Sequence, residues 1–331
     1  LLKMKTVNVI GCGPWAQNHI RVLAKLKILN GVNDINESLA KETATKYRCK
    51  FLSEDQLKND LNNNSCLFIL SSAFSHFELL KKYIPIYKNI FVEKPLVETL
   101  EQYFEINKLL DTNNNKIAVG HLINFHQVFI KLKELVVENK IGKLLGFKSI
   151  RNNFGRYRQN EDVVHSLAVH DLSILLNITK DLNLKLKSHD LYGFDFLKKN
   201  HFDEARIILN FDNDVKGVIS SSWISPIKSH VFTIFGSVGI AVFEDTEDLD
   251  KKLYIQYYDK NHNGITKLHK EYINFDTKDY IQPLDNEIIQ TIDYFSGKNF
   301  NYPTTFEESY LILKIINSSK QINKDRLKLV R

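Results

Sequence analysis

A strand that ends in Gly11-Cys12-Gly13 and turns at once into a helix constrains this chain more than any other stretch. Thr6-Val7-Asn8-Val9-Ile10 reads as a short apolar strand, buried on both faces, with Asn8 as a tolerated polar member. Gly11 allows the tight turn. Gly13 has no Cβ, so its backbone can approach a pyrophosphate closely, and Ala16 in place of a third glycine still permits close helix–strand packing. A helix beginning near Pro14 aims its free N–H groups and positive dipole end at that phosphate. Pro14 suits a first turn, where its missing N–H would have had no partner. The apolar face Ala16, Ile20, Leu23, Ala24 and Ile28 predicts a helix over Trp15–Leu29. Asp34 follows at the end of a second predicted strand, at the distance from the glycines where an acid takes the ribose hydroxyls of NAD. A carboxylate there repels a 2′-phosphate and no Arg follows at once, so NAD is expected rather than NADP.

The chain has 331 residues, too many for most single cores, so two domains are expected. Hydrophobic content of 43% and charged content of 25% suit an ordinary globular protein. No apolar run reaches membrane-spanning length, and Leu1-Leu2-Lys3-Met4 is too short for a secretory leader. Cys12, Cys49 and Cys66 lie near no histidine cluster and read as reduced thiols of a cytoplasmic protein. The net charge of +6 is spread over scattered lysines; Lys198-Lys199 and Lys251-Lys252 read as solvated faces rather than a nucleic-acid surface.

Beyond Asp34, helices and strands alternate: helix Asn36–Tyr47, strand Cys49–Leu52, helix Glu54–Leu61, strand Cys66–Ser71, helix Ser75–Ile84, strand Asn89–Val92, helix Leu100–Leu110 and strand Ile117–His121. This rhythm implies an α/β Rossmann domain with a parallel sheet and right-handed crossovers. Ser71 falls at the carboxyl edge of its strand, where cofactors sit. His76 opens the next helix, facing either the cofactor or the core. Glu93-Lys94-Pro95 puts a charged pair at the end of an inner strand, costly unless it has a task. Pro95 biases Lys94 to an extended conformation that aims its ammonium into the crevice. The domain boundary is placed near Gly120, giving a dinucleotide-binding domain over 1–120 and a second domain over 121–331. In the latter, helices Phe125–Glu138 and Val163–Ile178 flank a strand Leu144–Phe154. Seven further strands follow between Leu184 and Ile273, and helices Pro283–Phe295 and Phe306–Ile322 close the chain. The second domain is therefore expected to be α+β, with an open, mainly antiparallel sheet. Trp223 reads as core. No Cys/His/Asp spacing suggests a metal site.

The run Gly11–His19 with Asp34, then Glu93-Lys94-Pro95, Gly120-His121, and the segment from Arg151-Asn152-Asn153-Phe154-Gly155-Arg156 to His170-Asp171-Leu172 together resemble the Gfo/Idh/MocA oxidoreductases. Trp15…Asn18…Arg21 and His170-Asp171-Leu172-Ser173-Ile174 are similar to the branch that oxidises nucleotide sugars such as UDP-N-acetylglucosamine at C3 in surface-polysaccharide pathways. The resemblance implies that Lys94 and His170 are the catalytic pair. The chemistry agrees: a lysine in a polar cleft holds the substrate hydroxyl and stabilises oxyanion charge, and a histidine titrating near neutrality takes the proton. It also implies a homodimer or homotetramer built on the outer face of the second sheet. Cofactor contacts fall to Gly11, Gly13, Pro14, Trp15, Asp34, Ser71, His76, Glu93 and Lys94. Substrate candidates are His121, which follows a motif glycine, Arg156 and Arg158, whose guanidinium groups suit a diphosphate clamp, and Ser166 and Asp171; exposed loop arginines are the alternative for the two guanidinium groups. His126 reads as a helix-surface residue. One departure stands out. One turn before His170 the family usually carries an aspartate; here the position is Ser166, preceded by His165. Three outcomes stay open: Asp171 orients His170, His165 replaces part of the network, or the reaction is altered or weakened. Rival readings are a dehydrogenase of a free sugar or inositol, and a family member that has lost catalysis.

Overall fold

The computed structural model describes residues 6–60, 65–113, 115–155, 161–199, 201–261, 264–276, 278–298 and 301–318. It divides into two units. The first comprises Leu1–Leu122 and Gln282–Leu313, the second Ile123–Ile281 and Lys314–Arg331. A single cut near residue 120 does not describe this division, because the chain returns to the first unit after 281.

In the first unit, strands β1 (Thr6–Ile10), β2 (Leu29–Asn33), β3 (Lys50–Phe51), β4 (Ser65–Ile69), β5 (Asn89–Glu93) and β6 (Lys116–Gly120) form a sheet in the order β3-β2-β1-β4-β5-β6, every pair parallel. The crossovers carry α1 (Ala16–Lys25), α2 (Glu37–Tyr47), α3 (Glu54–Lys58), α4 (His76–Tyr83) and α5 (Leu100–Asn113). The inner strands read as unbroken apolar text because helices cover both faces. Cys66, Leu67, Phe68 and Ile69 have no exposed surface, and Phe68 stacks on Phe91 with centroids 4.7 Å apart. Burying one such side chain contributes about 1.5–3 kcal/mol. Local chemistry sets the helix ends. Asn36 caps α2 through the Leu39 N–H, and Ser53 with Gln56 forms a capping box on α3. The predicted helix Trp15–Leu29 is shorter at both ends. Pro14 and Trp15 form a turn before α1, and Lys27, at φ 59°, breaks the helix so that β2 can begin at Leu29.

The second unit holds α6 (Gln127–Val137), α7 (Val169–Asp181) and strands β7 (Leu144–Asn152), β8 (Leu186–Phe194), β9 (Glu204–Phe211), β10 (Lys216–Ser222), β11 (Ser229–Gly236), β12 (Gly239–Glu244), β13 (Leu253–Asn261) and β14 (Gly264–Tyr272). Their order is β14-β13-β12-β11-β7-β10-β9-β8. All neighbours are antiparallel except β7 and β10, whose parallel pairing sets Ser149 beside Ile219. The sheet is thus mainly antiparallel, as its run of short strands implied. Along β9 and β10 every second residue is buried, so one face is covered. Trp223 is core: its indole N–H donates to Asp203 Oδ1 at 2.7 Å.

Two helices complete the chain, α8 (Pro283–Phe295) and α9 (Phe306–Asn317). α8 and most of α9 belong to the first unit. Thr304 accepts from the Val119 N–H at 2.7 Å through its carbonyl and donates its hydroxyl to the Val119 carbonyl, so the segment after α8 lies along the outer edge of β6. The predicted continuation of α9 to Ile322 falls beyond the described residues.

Candidate functional site

In the first unit the glycine turn is built as its residues require. Gly11 has φ +102°, and a Cβ there would lie 2.6 Å from the Ser71 amide nitrogen, so neither the conformation nor the space admits a side chain. Gly11→Ala is expected to cost roughly 3 kcal/mol, half from the left-handed backbone and half from overpacking against β4's end; urea denaturation of the variant checks it. At Gly13, by contrast, a Cβ would meet nothing within 4 Å. The backbone there borders open space, the room a pyrophosphate needs, and α1 begins just beyond with Gln17 N–H bonding the Gly13 carbonyl at 3.0 Å. Asp34 closes the far side. Its Oδ2 accepts from Cys12 N–H at 2.7 Å and its Oδ1 from Asn36 N–H at 2.8 Å, so the acid that would take the ribose is held against the turn that would take the phosphates. Ile35, the next residue, is exposed. Burial pushes the Cys12 thiol up to about 12, which leaves it inert. These residues fit a bound dinucleotide.

Ser71 sits at the carboxyl end of β4, its hydroxyl 2.7 Å from that of Ser75. His76 does not present its ring to a cofactor. It is fully buried, with Nδ1 2.8 Å from the Pro95 carbonyl and Nε2 3.1 Å from the Ser71 carbonyl. Burial pushes its pKa down against the pull of those two carbonyls. It ties the end of β4 to the turn after Lys94, and the packing alternative holds.

Glu93 ends β5 and is engaged on both oxygens. Oε1 accepts from Trp15 Nε1 at 2.6 Å and pairs with His19 Nε2 at 2.9 Å; Oε2 accepts from the Lys94 N–H at 3.1 Å. Burial works to raise its pKa, but these donors together hold it below the usual carboxylate range. The costly acid of the Glu-Lys-Pro segment is therefore an anchor joining the glycine-turn helix to the backbone of Lys94. The Lys94–Pro95 bond is cis, and Lys94 is half-buried. His121 is 3% exposed, close enough to Glu93 and Lys94 to feel both charges, and burial pushes it down to about 4, so it is neutral at pH 7.

In the second unit, the segment predicted as one helix over Val163–Ile178 is a π-helical turn, Val164–Ala168, running into α7. Such turns recur at functional sites. Asp162 starts it: its Oδ1 accepts from the Val164 and His165 N–H groups, each at 3.1 Å, and pairs with His165 Nδ1 at 2.6 Å. Burial would raise the Asp162 pKa, but His165 lowers it. Ser166 is buried within the turn and His170 is half-buried in the first turn of α7. Asp171 is not the residue that orients His170 or meets a substrate. It is 2% exposed, and Arg151 of β7 takes both its oxygens, at 2.6 and 3.1 Å. Burial opposes charge on Arg151, but Asp171 outweighs it and holds the guanidinium protonated. Of the three outcomes left open by the missing aspartate, orientation by Asp171 is thereby excluded, while His165 has a carboxylate of its own. Arg156 and Arg158 lie outside the described residues. His126 is not a surface residue. It is 6% exposed and caps α6, with Nδ1 accepting from Val128 N–H at 3.2 Å and Nε2 3.3 Å from the Tyr280 hydroxyl.

Sequence reasoning assigned no role to three groups near these sites, Arg151, His19 and Glu287. Arg151 is an alternating strand residue whose partner is twenty positions away on another element. His19 lies on the buried side of α1, and Glu287 lies on α8. Only Glu287 left a signal: it shares the spacing of Leu284, Ile288 and Thr291, a charged residue on an apolar stripe.

The model for the oxidoreductase family with an NAD-binding Rossmann fold matches residues 5–121, and the GFO/IDH/MocA C-terminal domain model matches residues 129–242. A relative from Bacillus subtilis, the uncharacterized oxidoreductase YrbE, is 23% identical over 67% of this chain and 68% of its own length. An inositol 2-dehydrogenase/D-chiro-inositol 3-dehydrogenase from Halalkalibacterium halodurans is 25% identical over 50% of each chain. Among solved structures, the UDP-N-acetylglucosamine 3-dehydrogenase GnnA from Acidithiobacillus ferrooxidans superposes with a TM-score of 0.79 at 18% identity, covering 93% of this chain and 94% of that one. An inositol dehydrogenase homolog complexed with NAD+ from Azotobacter vinelandii gives 0.79 at 12% identity, covering 95% and 94%. Glycine turn, paired acid, Glu-Lys-Pro segment and mainly antiparallel second sheet thus meet both family models in the expected order, and the chain belongs to the Gfo/Idh/MocA family of NAD-binding oxidoreductases.

Proposed function

We propose that this chain is an NAD-dependent dehydrogenase or ketoreductase acting on a secondary hydroxyl or ketone of a nucleotide-linked sugar, C3 being the favoured carbon. The observation that carries the reading is the charged pair at the carboxyl end of β5: Glu93 accepts from Trp15, His19 and the Lys94 N–H, and so fixes the backbone of Lys94 at the edge of the sheet beside the glycine-turn helix. Bound NAD supplies the hydride acceptor. Lys94 holds the substrate hydroxyl and stabilises its developing negative charge; His170 takes the proton. Asp34 with Ile35 after it supports NAD over NADP, because a carboxylate repels a 2′-phosphate and no Arg follows it at once in the chain. The likeness to GnnA supports a nucleotide sugar, as do Trp15, Asn18 and Arg21 and the run His170–Ile174. His121, Arg156, Arg158 and Ser166 are assigned to the substrate on the same grounds.

The test is direct. The protein is mixed with NAD and a panel of UDP- and dTDP-sugars, free aldoses and inositols, and NADH absorbance is followed. NADH is expected with a nucleotide sugar, together with a thermal shift on adding UDP alone. Reduction of NAD by inositols or free sugars with no response to UDP supports the second reading, which the inositol and sugar dehydrogenases among the relatives favour. We also assign the open face of the second sheet, where Val218, Leu268 and Tyr272 are exposed, to self-association as a dimer or tetramer; sedimentation velocity checks it. The free cysteines suit a reducing, cytoplasmic setting. Among the described residues no helix is long and apolar enough to cross a membrane.

A further inference from the structure

Glu287 has no exposed surface, and neither of its carboxylate oxygens has a hydrogen-bond partner among the described residues. Its surroundings are in the first unit. α1 presents His19, also without exposed surface, whose Nδ1 likewise has no partner there. β5 presents Glu93. One ligand atom from each of His19, Glu93 and Glu287 lies within 4.8 Å of the others. The segment after α8 brings Tyr302, whose hydroxyl bonds Thr291 at 2.8 Å and whose ionisation burial opposes. His121 lies near enough to feel the charges of both Glu93 and Lys94. Lys25 pairs with Asp285, which is on the same helix as Glu287.

The two acids are not equivalent. Glu93 receives the Trp15 indole, His19 and the Lys94 amide; Glu287 receives nothing from the described residues. Donors stabilise the charged form of an acid, and a neighbouring like charge in a buried site disfavours it. The single anion of this cluster therefore belongs to Glu93. A metal ion would satisfy Glu287 as well, but it would have to break the 2.9 Å pairing between its other two ligands, His19 and Glu93.

We propose that Glu287 is held as a neutral carboxylic acid beside ionised Glu93, and that this proton keeps Glu93 in place as the anchor of Trp15 and the Lys94 backbone. Glu287 is thus a positioning residue. Loss of its proton puts a second anion against Glu93 and loosens the link between α1 and β5. The claim concerns the cofactor unit and is independent of which substrate is used.

The sign of the pH effect follows from linkage. An acid that is neutral when folded takes up a proton on folding, so its contribution falls as pH rises above the unfolded value of about 4.3 and continues falling until the folded group ionises. Glu287→Gln keeps the shape and removes the titration. Melting temperatures of both proteins are measured from pH 6 to pH 10, with NADH affinity measured at the two ends. The variant is expected to melt about 5 °C above the wild type at pH 8, with the gap widening towards pH 10. Across the range the NADH dissociation constant should rise about tenfold in the wild type and stay nearly flat in the variant. Equal alkaline losses in the two proteins overturn the proposal. So does a variant that melts below the wild type at pH 7, which would mean an ionised carboxylate is needed. A melting point raised by Zn²⁺ or Mn²⁺ in the wild type but not in the variant makes this a cation site instead. If the variant does not fold, Glu287→Met takes its place in the same melting series: a gap from the wild type that shifts in the variant's favour towards pH 10 supports the proposal, and parallel alkaline losses overturn it. Absence of NADH binding by either protein at every pH tells against the cofactor assignment, while the melting comparison still decides the proton.

Discussion

Under the proposed function, replacing Lys94 with Met is expected to lower kcat by about 10²–10³-fold, the usual cost of removing one donor aimed at developing oxyanion charge. NADH affinity, read from fluorescence quenching, changes far less, because the backbone of Lys94, not its side chain, is what Glu93 holds. Steady-state NADH formation with the substrate identified from the panel supplies kcat. A variant that keeps more than a tenth of the wild-type rate removes Lys94 from the chemistry. Lys94→Arg is not a conservative rescue: the planar guanidinium cannot place one donor on a hydroxyl as a compact ammonium does.

The second large effect is on stability. Asp171→Asn leaves Arg151 charged in a site where it is 8% exposed and has lost its carboxylate, and the second unit is expected to lose about 3–5 kcal/mol. Replacing both residues together, Arg151→Met with Asp171→Leu, should return most of that loss, because no unpaired charge remains buried. Urea denaturation of the three proteins checks both statements. If the double variant is as unstable as the single one, the pair does more than neutralise itself, and a link to Asp245, whose charge also acts on Arg151, becomes the point of interest.

What could be read in the sequence was what neighbours in the chain decide for each other. Gly11 and Gly13 bracket a turn whose backbone demands are local, and Asp34 follows one helix and one strand later, so its place was fixed by the lengths of those two elements. The alternation of strands and helices gave the parallel sheet, and the short strands after Leu184 gave the second one. Partners from distant elements escaped notice. Asp171 looked available beside His170 because nothing near it in the chain announces Arg151. His76 looked like a cofactor contact because its helix begins at the right edge, yet both ring nitrogens meet backbone carbonyls. His126 looked like a surface residue because its role as a cap depends on backbone angles at one position. The π-helical turn was invisible for a different reason: apolar spacing over Val163–Ile178 fits an uninterrupted α-helix, and the wider turn is set by Asp162 gripping two amides at once.

The hydrogen bonds between Val119 and Thr304 join residues 185 positions apart. The region that the first family model spans, residues 5–121, is therefore an unfinished object: cut out by itself, it keeps the glycine turn and Asp34 but bares the outer edge of β6 and strips the helix that covers Glu93. During synthesis the nucleotide-binding half must wait, with an open sheet edge, until the whole intervening half has left the ribosome. Closure across so long a stretch of chain is slow, and an unpaired edge invites association in the meantime, so the vulnerable period in this protein's life is the interval between making β6 and making Thr304.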